Sequence, residues 1–399
     1  MSAPVPVLKL KRGEDRRLRA GHLWIFSNEV DTAATPLTQI EPGSAVQVHS
    51  DRDQFLGFAY VNPRTLIAAR IVGRDAAYPL DAGLLEHRLR VAQSLRQRLY
   101  REPYYRLAFG ESDGLPGLVL DRYGDVVVAQ SGTAGIDRLR REVEAVVRKV
   151  VDARTLVWKN DSGARELEGL GRDISVAGEG AMPSELHVRE QGVDFLAPLA
   201  DGQKTGWFYD QAANRERLRR YLPAGARVLD VCSYVGAWAV TALKAGASAA
   251  TCVDSSATAL DFASRNAGAN GVAVSQIRDD AFDALKALQE QGARFDVVIL
   301  DPPAFAKRKK DVPQATAAYR KLNQLALPLL DRDGILVSCS CSYHMPVDDL
   351  AGAIQVAARH TSRFVQILEL GGQSPDHPVH PAIPETRYLK AFFCRVTRE

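Results

Sequence analysis

Two short stretches of this chain carry residue types that can do chemistry, Leu300-Asp301-Pro302-Pro303-Ala304-Phe305 and Val337-Ser338-Cys339-Ser340-Cys341-Ser342. Each follows an apolar run of strand length, so an acid and a thiol stand where strands end. A thiolate can add to an electron-poor ring carbon and leave again, which is covalent catalysis. An acid at a neighbouring strand end can orient a planar base or act as general acid or base. The two prolines turn the chain stiffly away from the strand and leave carbonyls that no neighbouring helix can use. Asp301 is placed to bond the exocyclic amine or ring nitrogen of an everted nucleobase, with Phe305 either stacking on it or filling the core.

The chain has five cysteines, Cys232, Cys252, Cys339, Cys341 and Cys394, none in a C-x-x-C pair. The C-x-C at Cys339 and Cys341 lacks the second pair that would make a zinc site, and the histidines do not cluster with metal spacing, so no metal is expected. Strand alternation puts Cys339 and Cys341 on one face. Cys341, at the exposed end between Ser340 and Ser342, is the better nucleophile, and Cys339 is expected one layer deeper.

The strands that must carry these groups belong to a repeating strand and helix pattern from about Ala226 onward. Val228 to Cys232 ends in Ser233-Tyr234-Val235-Gly236 before a helical stretch from Ala237 to Lys244. Ala249 to Val253 ends in Asp254, Val274 to Arg278 in Asp279-Asp280, Phe295 to Leu300 in Asp301, and Ile335 to Ser338 in Cys339-Ser340-Cys341. Phe364 to Leu370 and Leu389 to Val396 complete the sheet as an antiparallel edge. Polar and reactive groups thus gather at the carboxyl ends of the strands, where an open α/β sheet binds its ligands.

The turn Asp230-Val231-Cys232-Ser233-Tyr234-Val235-Gly236 lacks the G-x-G-x-x-G pattern that lets a backbone approach a pyrophosphate. A cofactor without phosphates fits better, and S-adenosylmethionine is one. Gly236 would allow close approach of its methionine part, Asp254 would take the ribose hydroxyls, and Asp280-Ala281 would border the adenine.

Separated motifs make the chain resemble the ribosomal RNA large subunit methyltransferase I family, cytosine-5 methyltransferases of 23S rRNA with an N-terminal PUA domain. They are Gly202-Gln203-Lys204-Thr205-Gly206-Trp207-Phe208-Tyr209-Asp210-Gln211, Cys232 to Gly236, Asp301 to Phe305, Tyr319 with Asn323, Ser340-Cys341-Ser342, and Glu111-Ser112-Asp113-Gly114-Leu115-Pro116-Gly117-Leu118. The resemblance implies Cys341 as nucleophile and S-adenosylmethionine as cofactor. Its contacts would fall on Asp210, Gln211, Asp230, Cys232, Tyr234, Gly236, Asp254, Asp280 and Asp301, with Ser233, Ala281 and Pro302 beside them. Two residues depart from the pattern: Ala212 replaces the usual arginine after Asp-Gln, and Cys339 replaces a non-thiol residue. Other RNA cytosine-5 methyltransferases place a second cysteine directly after the two prolines; Ala304 stands there, so removal of the C5 proton needs another base, Asp301 by position, or water. Two other readings stay open, methylation of an amino or ring nitrogen of a purine and an RNA-binding assembly factor without catalysis.

Composition marks two further units upstream, giving residues 1–74, 75–190 and 191–399. The first has a basic stretch through Arg16, Arg17 and Arg19 and short strands at Ser44 to His49, Phe55 to Tyr60 and Leu66 to Val72, a small β-barrel that resembles a PUA domain. The second, an α+β layer, has helices over Leu84 to Tyr100 and Ile136 to Val151, and the resemblance gives it a part in holding RNA. The third is the Rossmann-like α/β methyltransferase domain, led by a hairpin from Leu186 to Leu199.

The 51 Lys and Arg against 48 Asp and Glu leave a formal charge of +3, too balanced to imply nucleic-acid binding by itself. Placement matters more: Lys307-Arg308-Lys309-Lys310 follows the proline loop directly, where it would clamp phosphates. No apolar run approaches the roughly 20 residues of a membrane helix, and Met1-Ser2-Ala3-Pro4-Val5-Pro6 has no apolar signal segment. With free thiols, these features point to the cytoplasm. Large-subunit rRNA is the expected partner, with no membrane, and a homodimer is a further possibility that the sequence does not decide.

Overall fold

The computed structural model describes residues 5–178, 180–200, 202 and 204–398. Gln203 of the Gly202–Gln211 motif and the first four residues of the amino-terminal stretch lie outside the described residues. The chain divides into two compact units, one of residues 1–186, 199–207 and 376–386, the other of residues 187–198, 208–375 and 387–399.

The first unit holds two five-stranded sheets. In one, Val7–Lys9 pairs parallel with Ser44–His49, and Phe55–Val61, Ile67–Gly73 and Trp24–Phe26 follow antiparallel. Leu8, Ile25, Val46, Val48, Val61 and Ile71 fill its core. The other runs from Tyr104–Phe109 through Leu118–Tyr123, Val126–Ser131 and Thr155–Asn160 to Asp173–Val176, backed by helices Ala82–Leu99 and Arg140–Val151. The helix expected from Ile136 to Val151 starts earlier and breaks at Leu139, giving Ala134–Arg138 and Arg140–Val151. Thr133 caps the first piece. Gly135 there lies flat on Tyr60, so a Cβ would fall 2.0 Å from the ring. Asp113 of the Glu111–Leu118 turn receives both Arg96 guanidinium nitrogens, at 2.6 and 2.7 Å.

The second unit is a seven-stranded sheet: β1 (Arg227–Val231), β2 (Ala249–Asp254), β3 (Ser275–Arg278), β4 (Phe295–Leu300), β5 (Leu330–Ser340), β6 (Arg363–Gly371) and β7 (Lys390–Arg398), in the order β3-β2-β1-β4-β5-β7-β6. The first five are mutually parallel, and β7 is antiparallel to both β5 and β6. Helices α1 (Ala212–Tyr221), α2 (Ala237–Lys244), α3 (Ala257–Ala269), α4 (Ala281–Glu290), α5 (Val312–Ala326) and α6 (Val347–His360) complete it. The buried strands read as continuous apolar runs because both faces are covered, by Trp238, Ala239 and Leu260 on one side and Leu285, Leu322 and Ile354 on the other. The strand order reverses at β1, and the crevice between the carboxyl ends of β1 and β4 is where such a sheet takes its ligand.

Candidate active site

That crevice gathers the acids read from the sequence. Asp230 near the end of β1 is fully buried; its Oδ2 accepts the Ala239 amide at 3.2 Å, while Oδ1 has no hydrogen-bond partner. Asp254 at the end of β2 accepts the amides of Tyr234 and Ser256, each at 2.9 Å, and so ties the β1 loop to the β2 turn. Asp280 caps α4 through the Phe282 amide and stays exposed, with Ala281 half-buried behind it. Asp301 follows β4, its own amide bonded to the Val231 carbonyl at 3.2 Å. Pro302 behind it is buried and Pro303 is exposed. The Cys232 thiol lies within reach of all four carboxylates and is pushed up by burial first and then by Asp254, Asp301, Asp230 and Asp280. The four acids therefore converge on one place.

The loop between β1 and α2 is folded tightly to make room there. Cys232, Tyr234 and Gly236 all take positive φ, at 62°, 49° and 76°. The glycine is needed for packing: a Cβ on Gly236 would lie 2.9 Å from that of Ala263 on α3. This contact, which no local pattern reveals, is a reason for Gly236 independent of any cofactor. Asn266 of α3 holds the same loop by donating to the Val235 carbonyl at 2.9 Å. The buried Ser233 Oγ has no oxygen or nitrogen partner and lies beside the Cys252 thiol. Two orphaned buried oxygens beside four carboxylates fit a ligand that carries positive charge and hydrogen-bond donors. S-adenosylmethionine, with a sulfonium and an ammonium, is such a ligand.

Burial raises Asp230 to about 8, helped by Asp301 and Asp254 and opposed by the Ala239 amide and Arg215. Burial likewise raises Asp301 to about 6, against Trp238, Arg215 and Gln211, which favour its charge. Trp238 Nε1 donates to Asp301 Oδ2 at 3.1 Å, and Gln211 Nε2 donates to both oxygens at 2.9 and 3.0 Å. Gln211 also accepts from Asn214 at 2.6 Å. Asp210 accepts the Tyr388 hydroxyl at 2.6 Å. Arg215, one turn along α1 from Ala212, is buried against Glu190 in a bidentate pair, both bonds 2.6 Å. Its charge favours ionised Asp230 and Asp301, so a guanidinium serves this corner although Ala212 has none.

Gln211→Ala leaves Asp301 with Trp238 alone. Losing hydrogen bonds to a carboxylate costs about 1.5–3 kcal/mol, so single-turnover methylation is expected to fall by roughly 10- to 100-fold. A change of less than about twofold, well under 1 kcal/mol, would show the bridge to be dispensable.

At the neighbouring strand end β5 stops at Ser340, so Cys341 lies one residue beyond it. Cys339 is fully buried in the core with Val297, Val337 and Phe393. Ser340 accepts the Tyr319 hydroxyl of α5 at 2.8 Å, and the Ser342 hydroxyl bonds the Ala306 carbonyl of the proline loop. Phe305 is partly buried against the core, its ring 4.8 Å from that of Tyr319.

Trp238, Asn214, Arg215, Tyr388 and Lys390 were not picked out from sequence. Of these only Lys390 leaves a trace there, as a charge inside the apolar run of a strand that sits between two others. Among the described residues no group of His, Cys, Asp and Glu is arranged to hold a metal ion, and no helix is long and apolar enough to cross a membrane.

Residues 8–74 match a PUA-like domain, and residues 175–394 match the S-adenosylmethionine-dependent methyltransferase family. The chain is 36% identical over 398 residues to the ribosomal RNA large subunit methyltransferase I of Klebsiella pneumoniae, covering 98% of each protein. It is 35% identical over 395 residues to the protein of that name from Erwinia tasmaniensis, covering 98% of this chain and 99% of that one. Its fold matches the crystal structure of SMU.776 complexed with SAH, with a TM-score of 0.83 at 23% identity over 98% of this chain and 100% of that one. The orphaned oxygens, the converging acids and these matches agree, and the chain belongs to the ribosomal RNA large subunit methyltransferase I family of S-adenosylmethionine-dependent methyltransferases.

Proposed function

We propose that this protein methylates carbon 5 of a cytosine in large-subunit (23S) ribosomal RNA, with Cys341 as the attacking thiol. The observation that carries the chemistry is a contrast between cysteines. Cys252, Cys339 and Cys394 are buried, whereas Cys232 and Cys341 are partly exposed. Burial first, and then four carboxylates, disfavour a Cys232 thiolate. Cys341 instead lies within electrostatic reach of Lys390. The substrate follows the names of the relatives, and the cytoplasm, where ribosomes are assembled and thiols stay reduced, is the matching compartment.

S-adenosylmethionine supplies the methyl group. Asp230, Ser233, Asp254 and the Cys232–Gly236 loop would hold it, with Asp280 and Ala281 beside its base and Asp210, Gln211 and Pro302 closing the crevice. Cys341 sulfur bonds to C6 of the cytosine, and the displaced electron pair makes C5 nucleophilic. After C5 is methylated, its proton leaves to a base or water, the S–C6 bond breaks and the electron pair returns to sulfur. A carboxylate has about four acceptor sites, so Asp301 can take a further donor from the base beside Gln211 and Trp238. Lys307, Arg308, Lys309 and Lys310 are all exposed just after the proline loop, where phosphates of an RNA would meet them.

Charge in the crevice sets a pH dependence. Asp230 at about 8 holds its proton near neutrality and Asp301 at about 6 holds one in mildly acidic solution, and a cationic ligand must displace these protons. Affinity for S-adenosylmethionine is expected to rise by up to about tenfold per pH unit from pH 6 to 8, read by calorimetric titration. The ligand-free fold runs the other way. The folded state binds these protons more tightly than the unfolded chain, so their stabilising contribution is full below about pH 4 and is lost as pH rises toward 8. Affinity that is flat across this window would contradict the placement of the cation beside these acids.

Mass mapping of 23S rRNA from cells with and without the protein tests the function. One 5-methylcytosine is expected to disappear and to return with the wild-type gene. A missing methylpurine, or no missing methyl group, would overturn the proposal.

A further inference from the structure

Lys390 is an anomaly to which the methylation scheme above gives no step. It opens β7 opposite Ser340 of β5, is only 7% exposed, and has no carboxylate partner among the described residues. Its Nζ donates to the carbonyl of Ser342, the residue after Cys341. A buried ammonium without a counter-charge is costly, and removing its charge is the usual escape. Here burial does push Lys390 down, to about 8, while Cys341 pulls it back up.

We propose that Lys390 is the charge partner of Cys341, a positioning residue that keeps the thiol ionised before attack and takes up the returning negative charge when the adduct collapses. This rests on the reading of Cys341 as the nucleophile. The neutral amine accepts the thiol proton, an N–H bond forming as the S–H bond breaks, and leaves an ammonium–thiolate pair of unchanged total charge. The ammonium keeps that proton while sulfur is bonded to C6. When the S–C6 bond breaks, the electron pair returns to sulfur and the ion pair is restored.

The titratable groups around the pair are these. Cys341 is the titratable group that acts on Lys390. From α5, Tyr319 feels both Cys341 and Asp301, and burial holds its hydroxyl up in the neutral form. Cys339, on the same strand, is also held neutral by burial and feels Asp301 and Cys341. Asp301, at the end of β4, is bound to Gln211 and Trp238. Tyr388, two residues before Lys390, donates to Asp210. Lys390 is the cation within this set.

The test reads the thiol directly. The rate of Cys341 alkylation by iodoacetamide is followed against pH in the full-length protein, with the modified peptide quantified by mass spectrometry. In the wild type the midpoint is expected below the ordinary thiol value of about 8.5. In Lys390→Gln it should rise by at least about one pH unit, cutting the thiolate fraction near neutrality about tenfold, and Lys390→Arg should restore it. A wild-type midpoint at or above the ordinary thiol value overturns the proposal even if Lys390→Gln does not fold, and so does an unshifted midpoint in Lys390→Gln. If Cys341→Ala still methylates RNA, the nucleophile reading fails, while the midpoints still decide whether Lys390 ionises this thiol.

Discussion

Cys341→Ala is expected to lose methylation by several orders of magnitude while binding S-adenosylmethionine within about twofold of wild type. The first effect follows because no other thiol can replace it. Cys339 is fully buried among Val297, Val337 and Phe393, and Ala304 leaves the proline loop without a thiol. Without a covalent bond to C6 the ring carbon at C5 has no route to become nucleophilic. The second effect follows because the orphaned oxygens that invite the cofactor, Asp230 Oδ1 and Ser233 Oγ, belong to β1 and its loop. Single-turnover assays with labelled cofactor and calorimetric titration separate the two. Retained turnover would remove Cys341 from the chemistry, and lost binding would show that the strand ends are not independent.

Gly236→Ala is expected to have the opposite signature, a loss of cofactor binding together with stability. The φ of 76° costs a residue with a Cβ about 1–2 kcal/mol. The Cβ would stand 2.9 Å from Ala263, an overpacking that costs about 1–3 kcal/mol unless α3 moves. Together these lower the melting temperature by roughly 5–15 °C. Because α3 also holds the loop through Asn266, any shift opens the crevice, and affinity for S-adenosylmethionine should fall more than about tenfold, a cost of about 1.4 kcal/mol. Gly246→Ala is the control. Its φ is 106°, but nothing lies within 4 Å of the added Cβ, so it should carry the strain without the loss of binding. Equal losses in both variants would mean that backbone strain alone explains Gly236.

The reach of the sequence follows from how local each cause is. Short apolar runs ending in Asp254, Asp301 or Cys341 mark strands and place their ends because strand period and turn chemistry act over a few residues. The antiparallel pairing of β6 and β7 was legible for the same reason. The break at Leu139, between Ala134–Arg138 and Arg140–Val151, was not, since the sequence there reads as one helix. Gly236 was legible as a needed glycine but not for its cause, since Ala263 is distant in the chain. Phe305 was left between stacking and packing and proved partly buried against Tyr319. Arg215 and Trp238 were invisible because a buried arginine and an indole donor matter only through the acids they meet, Glu190 and Asp301. Lys390 was passed over although it puts a charge inside an apolar run, and only the register of β5 against β7 shows which residues it faces.

Release of tritium from 23S rRNA labelled at C5 of cytosine tests the central claim most directly, because only substitution at that carbon expels that hydrogen. With S-adenosylmethionine present, the wild-type protein should release tritium in step with methyl transfer, and Cys341→Ala should release none. Methyl transfer without tritium release, or release that persists in Cys341→Ala, would contradict cytosine-5 methylation through this thiol.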